Sequence, residues 1–155
     1  MEPVLRGMKR KKALMNILLV EDNPGDVRLT QEALREQGIF HHLSIVSNGE
    51  DALNFLEKKA AYEGVEVPDI ILLDLNIPRK NGKEVLREIK NNDAWKMIPV
   101  VVLTTSDAEQ DILASYQLHA NCFISKPVDI DQFIEVIKSI EDFWFNIVKL
   151  PSRFK

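Results

Sequence analysis

Carboxylates follow two apolar runs of the chain directly. Glu21 and Asp22 come after the run 16–20, and Asp74 comes after the run 70–73. An isolated charge at the end of a buried segment is costly, so these acids need a reason to be there. Three carboxylates held close together would repel one another, and Mg²⁺ suits a site with few carboxylates and several retained waters. A carboxylate in such a site can also act as a nucleophile toward a phosphoryl group.

Two other polar residues stand at comparable places. Thr104 ends an apolar, β-branched run, and Lys126 follows another short apolar run. Phosphoryl transfer requires the oxygens of the transferred group to be neutralised by metal, lysine and hydrogen-bond donors. Together with the three acids, these residues predict a site for phosphoryl chemistry, provided that the fold brings them to one place.

The elements that would position these residues can be read from the hydrophobic pattern. Five apolar runs predict strands, at 16–20, 43–46, 69–74, 99–104 and 120–124. Five segments with helical periodicity lie between or after them: one capped by Asp26 and ending at Gly38, one starting at Asn48, and others at 83–91, at 107–119 and from Asp129 or Asp131 through Ile140. The stretch 60–68 is predicted to be a loop.

This alternation predicts an α/β protein with a parallel sheet and helices on both faces. The strands are continuous apolar runs, as expected for strands buried on both faces. Ligands of open parallel sheets bind outside the carboxyl ends of the strands. We therefore expect the three acids, Thr104 and Lys126 to meet at one edge of the sheet.

Composition limits the class of protein. The chain has 155 residues, of which 45% are hydrophobic, which suits one domain. The net charge is −4, although residues 1–14 are strongly basic, so the rest of the chain is acidic and nucleic acid is not expected as a partner. No run approaches the 18 or so apolar residues of a membrane span, so no membrane insertion is expected.

Cys122 is the only cysteine, which excludes an intrachain disulfide framework and favours the cytoplasm. The pattern predicts one domain at 15–145. A basic segment at 1–14, which we expect to be flexible, precedes this domain, and a tail at 146–155 follows it.

Four motifs in order resemble the receiver domain of two-component response regulators. They are VEDN at 20–23, DLNIPRKNG at 74–82, VVLTTS at 101–106 and ISKP at 124–127. The resemblance covers residues 15–145. It implies a flavodoxin-like, doubly wound sheet of five parallel strands in the order 2-1-3-4-5, with five helices.

The resemblance implies roles for the acidic residues. Asp74 matches the phosphoacceptor, and Asp22 matches the direct Mg²⁺ ligand. Glu21 matches an acidic neighbour that acts through water, and the backbone carbonyl of Asn76 matches the third protein ligand.

It also implies roles near the transferred group. Thr104 matches a hydroxyl that bonds a phosphoryl oxygen, and Lys126 matches the conserved ammonium. Phe123 stands at the position of an aromatic switch residue. Pro127 is a candidate for a preceding cis peptide bond, which costs little before proline.

The subtype resembles stand-alone receivers that serve cyanobacterial phytochromes, on the segments EDNPGDVRL, LDLNIP and EDFWFNIV. It implies a sensor histidine kinase, of a phytochrome-like kind, as the phosphoryl donor. The chain would be a signalling phosphoacceptor and not an enzyme acting on other substrates. Because only 28 residues follow Pro127, no DNA-binding output domain is expected, and output would occur by protein binding or phosphoryl relay.

The C-terminal aromatic residues Phe143, Trp144 and Phe145 leave two interpretations open. They could fold back on the body of the domain. Alternatively, together with the last helix, they could form an exposed patch that pairs with a second copy, giving a homodimer.

Three rival functions remain to be weighed. A phosphatase of the haloacid dehalogenase type also uses an aspartyl nucleophile, but it needs a second aspartate where this chain has Asn76, and an amide cannot transfer that proton. A flavin mononucleotide carrier shares the fold, but the acidic first loop would repel its phosphate. A degenerate receiver that only binds partners is disfavoured by the complete set of site residues.

Overall fold

The computed structural model describes residues 14–36, 41–104 and 122–125, together with the helical positions 131, 132, 135 and 138. Its five strands are β1 (Met15–Val20), β2 (His41–Val46), β3 (Ile70–Asp74), β4 (Val100–Thr104) and β5 (Cys122–Ser125). All pair in parallel, in the order β2-β1-β3-β4-β5. The predicted fold class and strand order are therefore confirmed.

The described helices are α1 (Pro24–Glu36), α2 (Gly49–Glu57) and α3 (Gly82–Lys90). The predicted loop at 60–68 contains a short 3-10 helix at Ala60–Tyr62. The predicted helix at 107–119 lies outside the described residues, and the last predicted helix is described only at its four helical positions.

The prediction that Asp26 caps α1 is wrong. The helix begins two residues earlier, at Pro24, and the Asn23 side chain Oδ1 accepts the Asp26 backbone N–H at 3.1 Å. Proline is favoured at the first helical position because its fixed φ suits the helix and its missing N–H would have no helical partner. Asn23 is therefore the cap, whereas the predicted stop at Gly38 lies outside the described residues.

The sheet separates two apolar layers because neighbouring strand residues point to opposite faces. Leu18 and Leu73 belong to a cluster that includes residues of α2 and α3. Leu19 and Leu72 belong to a second cluster, which includes Ala33 and Leu34 of α1. Helices thus cover both faces, and all five residues of β3 are buried. The central strand is therefore a rigid support for whatever follows it.

The N-termini of α2 and α3 are capped by asparagines, as the Asn48 prediction expected for α2. Asn48 Oδ1 accepts the Asp51 N–H at 2.7 Å. In α3 the Asn81 side chain accepts the Glu84 N–H while the Glu84 side chain accepts the Asn81 N–H, which completes a capping box. Both helices therefore start where the chain leaves the carboxyl edge of the sheet.

Asn48→Ala is expected to lower the free energy of unfolding by about 1 kcal/mol, because it leaves the Asp51 N–H without its cap. Urea denaturation followed by circular dichroism measures this. Asn54→Ala, inside the same helix, is the control and should not destabilise, since alanine is the better helix former. Equal losses in the two variants would contradict the capping role.

Candidate functional site

The strand register brings the acidic residues of two separate segments to one edge. Val20 of β1 is paired with Leu73 of β3, so Glu21 and Asp74 follow at the same level. On the other side of β3, Asp74 is paired with Leu103 of β4. The carboxyl ends of β1, β3 and β4 therefore meet as the sequence predicted.

The carboxylates of Glu21, Asp22 and Asp74 form one cluster. Each side chain offers an oxygen, and these oxygens all lie within 4.8 Å of one another. Glu21 is only 2% exposed and Asp74 only 3%, whereas Asp22 is exposed. Two acids are thus held at the bottom of the cluster, with the third at its open side.

Backbone hydrogen bonds orient the two buried carboxylates. The Asn76 N–H donates to Asp74 Oδ1 at 3.0 Å, and the Asn23 N–H donates to Glu21 Oε2 at 3.2 Å. The Glu21 N–H in turn donates to the Val46 carbonyl at 3.0 Å, which ties the first loop to the end of β2. The acids are therefore fixed by local backbone and not by side-chain packing alone.

This donor set fits a hard divalent cation. Carboxylate oxygens are the ligands that Mg²⁺ and Mn²⁺ take readily in proteins. Burial of Glu21 and Asp74 makes their mutual repulsion costly, and a cation would relieve it. The exposed position of Asp22 leaves one side of the cluster open to water and to a substrate.

The loop 75–81 after Asp74 is closed by a tight contact with the start of α3. The Gly82 N–H donates to the Leu75 carbonyl at 3.0 Å. A Cβ at Gly82 would lie 2.5 Å from Leu75 Cα and 2.6 Å from the Asp74 carbonyl oxygen. Only glycine permits this approach, because both contacted atoms belong to the backbone.

The remaining predicted site residues are described in part or not at all. Thr104 ends β4 and its backbone pairs with Ser125, while Phe123 of β5 pairs with Val102. Their backbones thus lie beside β3 and β4, at or near the acidic edge. Lys126 and Pro127 lie outside the described residues, as do Phe143, Trp144 and Phe145.

Sequence reasoning missed the contact between the loop 75–81 and α2. The N–H groups of Gly49 and Glu50 donate to the carbonyls of Pro78 and Arg79, at 3.2 and 3.0 Å. The sequence predicted a helix start at Asn48, but no local pattern indicated which segment that start would contact. Near this contact, a hydrogen bond to the Glu88 carboxylate raises the pKa of Lys80.

A cavity of about 350 Å³ lies away from the acidic cluster. Its lining includes Leu14, Asn16 and His42, which stand near the amino ends of β1 and β2, and Val65 and Pro68 of the following loop. None of the predicted site residues that the structure describes lines it. It is therefore not part of the carboxylate site.

The fold and the cluster together define a doubly wound α/β protein with a carboxylate site at the carboxyl edge of its sheet. Residues 17–138 match the response regulator receiver domain family. The chain belongs to this family of signalling proteins, and the resemblance read from the four motifs is confirmed. The match lies within the domain predicted at 15–145, whose boundaries stay a prediction.

Relatives agree with the predicted subtype. The chain is 48% identical to response regulator Rcp1 of Synechocystis over 136 residues, which is 88% of this chain and 92% of the relative. It is similar to the crystal structure of the phosphorylated cyanobacterial phytochrome response regulator RcpA, with 47% identity, a TM-score of 0.76 and coverage of 90% and 100% of the two chains. It is also similar to the Mn²⁺-bound form of Rcp1, with 48% identity, a TM-score of 0.74 and coverage of 89% and 99%.

These findings favour the receiver interpretation over a phosphatase or a flavin carrier. Receiver domains work with sensor histidine kinases, and the matched relatives include regulators that belong to phytochromes. In the parts of the chain that the structure describes, no helix has both the length and the apolar character needed to cross a membrane.

Proposed function

We propose that Asp74 accepts a phosphoryl group from a sensor histidine kinase, with Mg²⁺ bound at the acidic cluster. The observation that carries this is the placement of Asp74: it is 3% exposed, follows a fully buried strand and shares one cluster with Glu21 and Asp22. A buried carboxylate with two acidic neighbours does not stabilise the fold. Metal-dependent phosphoryl chemistry explains why Asp74 is placed there.

In the proposed step, an Asp74 carboxylate oxygen forms a bond to phosphorus while the bond from phosphorus to the kinase histidine nitrogen breaks. That nitrogen keeps the electron pair of the broken bond. A bound Mg²⁺ would supply positive charge against the phosphoryl oxygens. Asp22, Asp74 and the Asn76 carbonyl would hold it, and Glu21 would act through water.

The protein's own contribution is orientation. The Asn76 N–H fixes one Asp74 oxygen, so the carboxylate does not have to be ordered when the donor arrives. Because every residue of β3 is buried, the backbone that carries Asp74 has little room to move.

Thr104 and Lys126 are proposed to bond and neutralise the transferred group, and Phe123 is proposed to change its packing afterwards. A cis bond before Pro127 belongs to the same proposal. The support for these four roles is the motif resemblance, together with the strand positions of Thr104 and Phe123. The resulting change would bias the surface between two states that partner proteins distinguish.

The partner is proposed to be a phytochrome-like histidine kinase, on the strength of the relatives found. The chain would act as a cytoplasmic phosphoacceptor without other enzymatic activity, and its output would be protein binding or phosphoryl relay. Pairing of two copies through Phe143, Trp144 and Phe145 stays a proposal. Sedimentation of the full chain and of one ending at Ser139 tests it, and a monomeric full chain in both phosphorylation states would contradict it.

Acetyl phosphate tests the phosphoacceptor function without needing the kinase. With Mg²⁺ present, the intact mass should rise by one phosphate, and EDTA should prevent the increase because the metal is removed. Mass spectrometry of the whole chain measures both. No mass increase with Mg²⁺, under conditions that label the relative RcpA, would support the degenerate, partner-binding receiver instead.

A further inference from the structure

The first turn of α2 holds the loop that follows Asp74. The Gly49 N–H donates to the Pro78 carbonyl at 3.2 Å, and the Glu50 N–H donates to the Arg79 carbonyl at 3.0 Å. First-turn N–H groups have no acceptor within their own helix, so they are available for such a contact. We call these two hydrogen bonds, with the backbone of Lys80 beside them, the loop clamp.

The clamped loop has an unfavourable backbone conformation. Arg79 has a φ of 48° and Lys80 a φ of 71°, and two consecutive non-glycine residues in this region are disfavoured. Such a conformation persists only where the surroundings hold it. The hydrogen bonds from α2 can hold it, because they bind the carbonyls of Pro78 and Arg79. These two carbonyls lie directly before and after the positive φ of Arg79.

Gly49 is what allows α2 to come so close. A Cβ at this position would lie 1.8 Å from the Lys80 carbonyl oxygen and 2.8 Å from its carbonyl carbon. Both are backbone atoms, so no side-chain rotation could relieve the overlap. Any larger residue at position 49 must therefore push the loop and the helix apart.

The same loop carries Asn76, whose N–H bonds Asp74 Oδ1 and whose carbonyl is the proposed third metal ligand. Its two ends are anchored at Leu75, which donates to the Leu103 carbonyl at 3.2 Å and accepts the Gly82 N–H at 3.0 Å. The clamp fixes the middle of the loop, and together these contacts leave Asn76 little freedom.

We propose that Gly49 is a positioning residue for the metal site: through the loop clamp it holds Asn76 in the place where it serves Asp74 and the cation. This proposal rests on the proposed function, since it assigns a role toward the metal. It predicts that loosening the clamp weakens metal binding, as loss of groups that orient metal ligands commonly does by roughly ten-fold or more.

The loop side of the clamp is tested with two substitutions of one exposed residue. Arg79→Val and Arg79→Gly both remove the ion pair with Glu50, but only valine resists a positive φ. The dissociation constant for Mn²⁺ is measured by electron paramagnetic resonance of the free ion. We expect Arg79→Val to bind Mn²⁺ roughly ten-fold more weakly and Arg79→Gly to keep the wild-type affinity.

The helix side is tested with two glycine substitutions. Gly49→Ala should weaken Mn²⁺ binding and raise the Mg²⁺ concentration for half-maximal labelling by acetyl phosphate. Gly64→Ala is the matched control, because among the described residues no atom beyond its two chain neighbours lies within 4 Å of the added Cβ. Ile17→Val, at a buried position of β1, lowers stability without touching the clamp and should keep the wild-type affinity.

The outcomes separate the two proposals. If the unaltered chain binds no Mn²⁺, the proposed function fails. If it binds Mn²⁺ but Arg79→Val and Arg79→Gly have equal affinities, the clamp does not position the site and only the present inference fails. It also fails if Ile17→Val loses as much affinity as Gly49→Ala, because lost stability would then explain both.

Discussion

Asp74→Asn is expected to abolish labelling by acetyl phosphate. The amide has nearly the same shape as the carboxylate but does not act as the nucleophile toward phosphorus. In the unaltered chain the Asn76 N–H donates to Asp74 Oδ1 at 3.0 Å. The amide oxygen introduced at position 74 can accept the same hydrogen bond, so the loop should stay in place. Intact mass spectrometry after incubation with Mg²⁺ and acetyl phosphate measures the loss directly.

Asp69→Asn provides the matched control for this prediction. It makes the same chemical change immediately before the same strand, at the opposite edge of the sheet. There, Asp69 Oδ2 accepts the Asn16 N–H at 2.8 Å. Labelling of this variant should equal that of the unaltered chain. If Asp74→Asn is labelled as well as Asp69→Asn, the phosphoacceptor has been assigned to the wrong residue.

Leu72→Ala is expected to lower the free energy of unfolding by about 2–5 kcal/mol, since it removes fully buried atoms and leaves a cavity. Leu72 lies on the central strand, paired with Leu19 on one side and Val101 on the other, so neighbouring backbones cannot easily close the space. Each kcal/mol should lower the melting temperature by about 2–4 °C in a chain of this size. Urea denaturation gives the free energy, and calorimetry gives the melting temperature.

Leu14→Ala makes the same change at a leucine that is 42% exposed. Its effect should be small, because a half-exposed side chain leaves no closed cavity. A loss of stability at Leu72 as small as that at Leu14 would mean that β3 is not the rigid support assigned to it. The orientation of Asp74 would then need another explanation.

The stability of the core and the placement of the nucleophile depend on the same strand, β3. The strand that buries Leu72 also delivers Asp74, so packing and chemistry depend on the same five residues. The cost of a charge at the end of a buried strand is tolerable where a cation and hydrogen bonds from the loop offset it. A stable core and a reactive carboxylate are therefore compatible within this sheet.

Much of the fold was predictable because its cause is local. Continuous apolar runs indicate parallel strands buried on both faces, and the five described strands lie where those runs are. The acidic cluster was predictable for the same reason, since parallel strands place their carboxyl ends at one edge. Helix boundaries were less accurate: Asn23 and Pro24 outcompeted Asp26 as the start of α1, because a cap needs only one favourable side chain and several were available.

The order of apolar runs and polar ends in the sequence was thus enough to establish the α/β class, the acidic edge and the candidate nucleophile Asp74. The loop clamp was decided only by the tertiary structure. Nothing near Arg79 or Lys80 marks a positive φ, and nothing near Gly49 shows that a carbonyl some thirty residues away will approach it. That contact exists because packing against the sheet brings the start of α2 beside the loop after β3, and a local pattern cannot encode a distance between two separate segments.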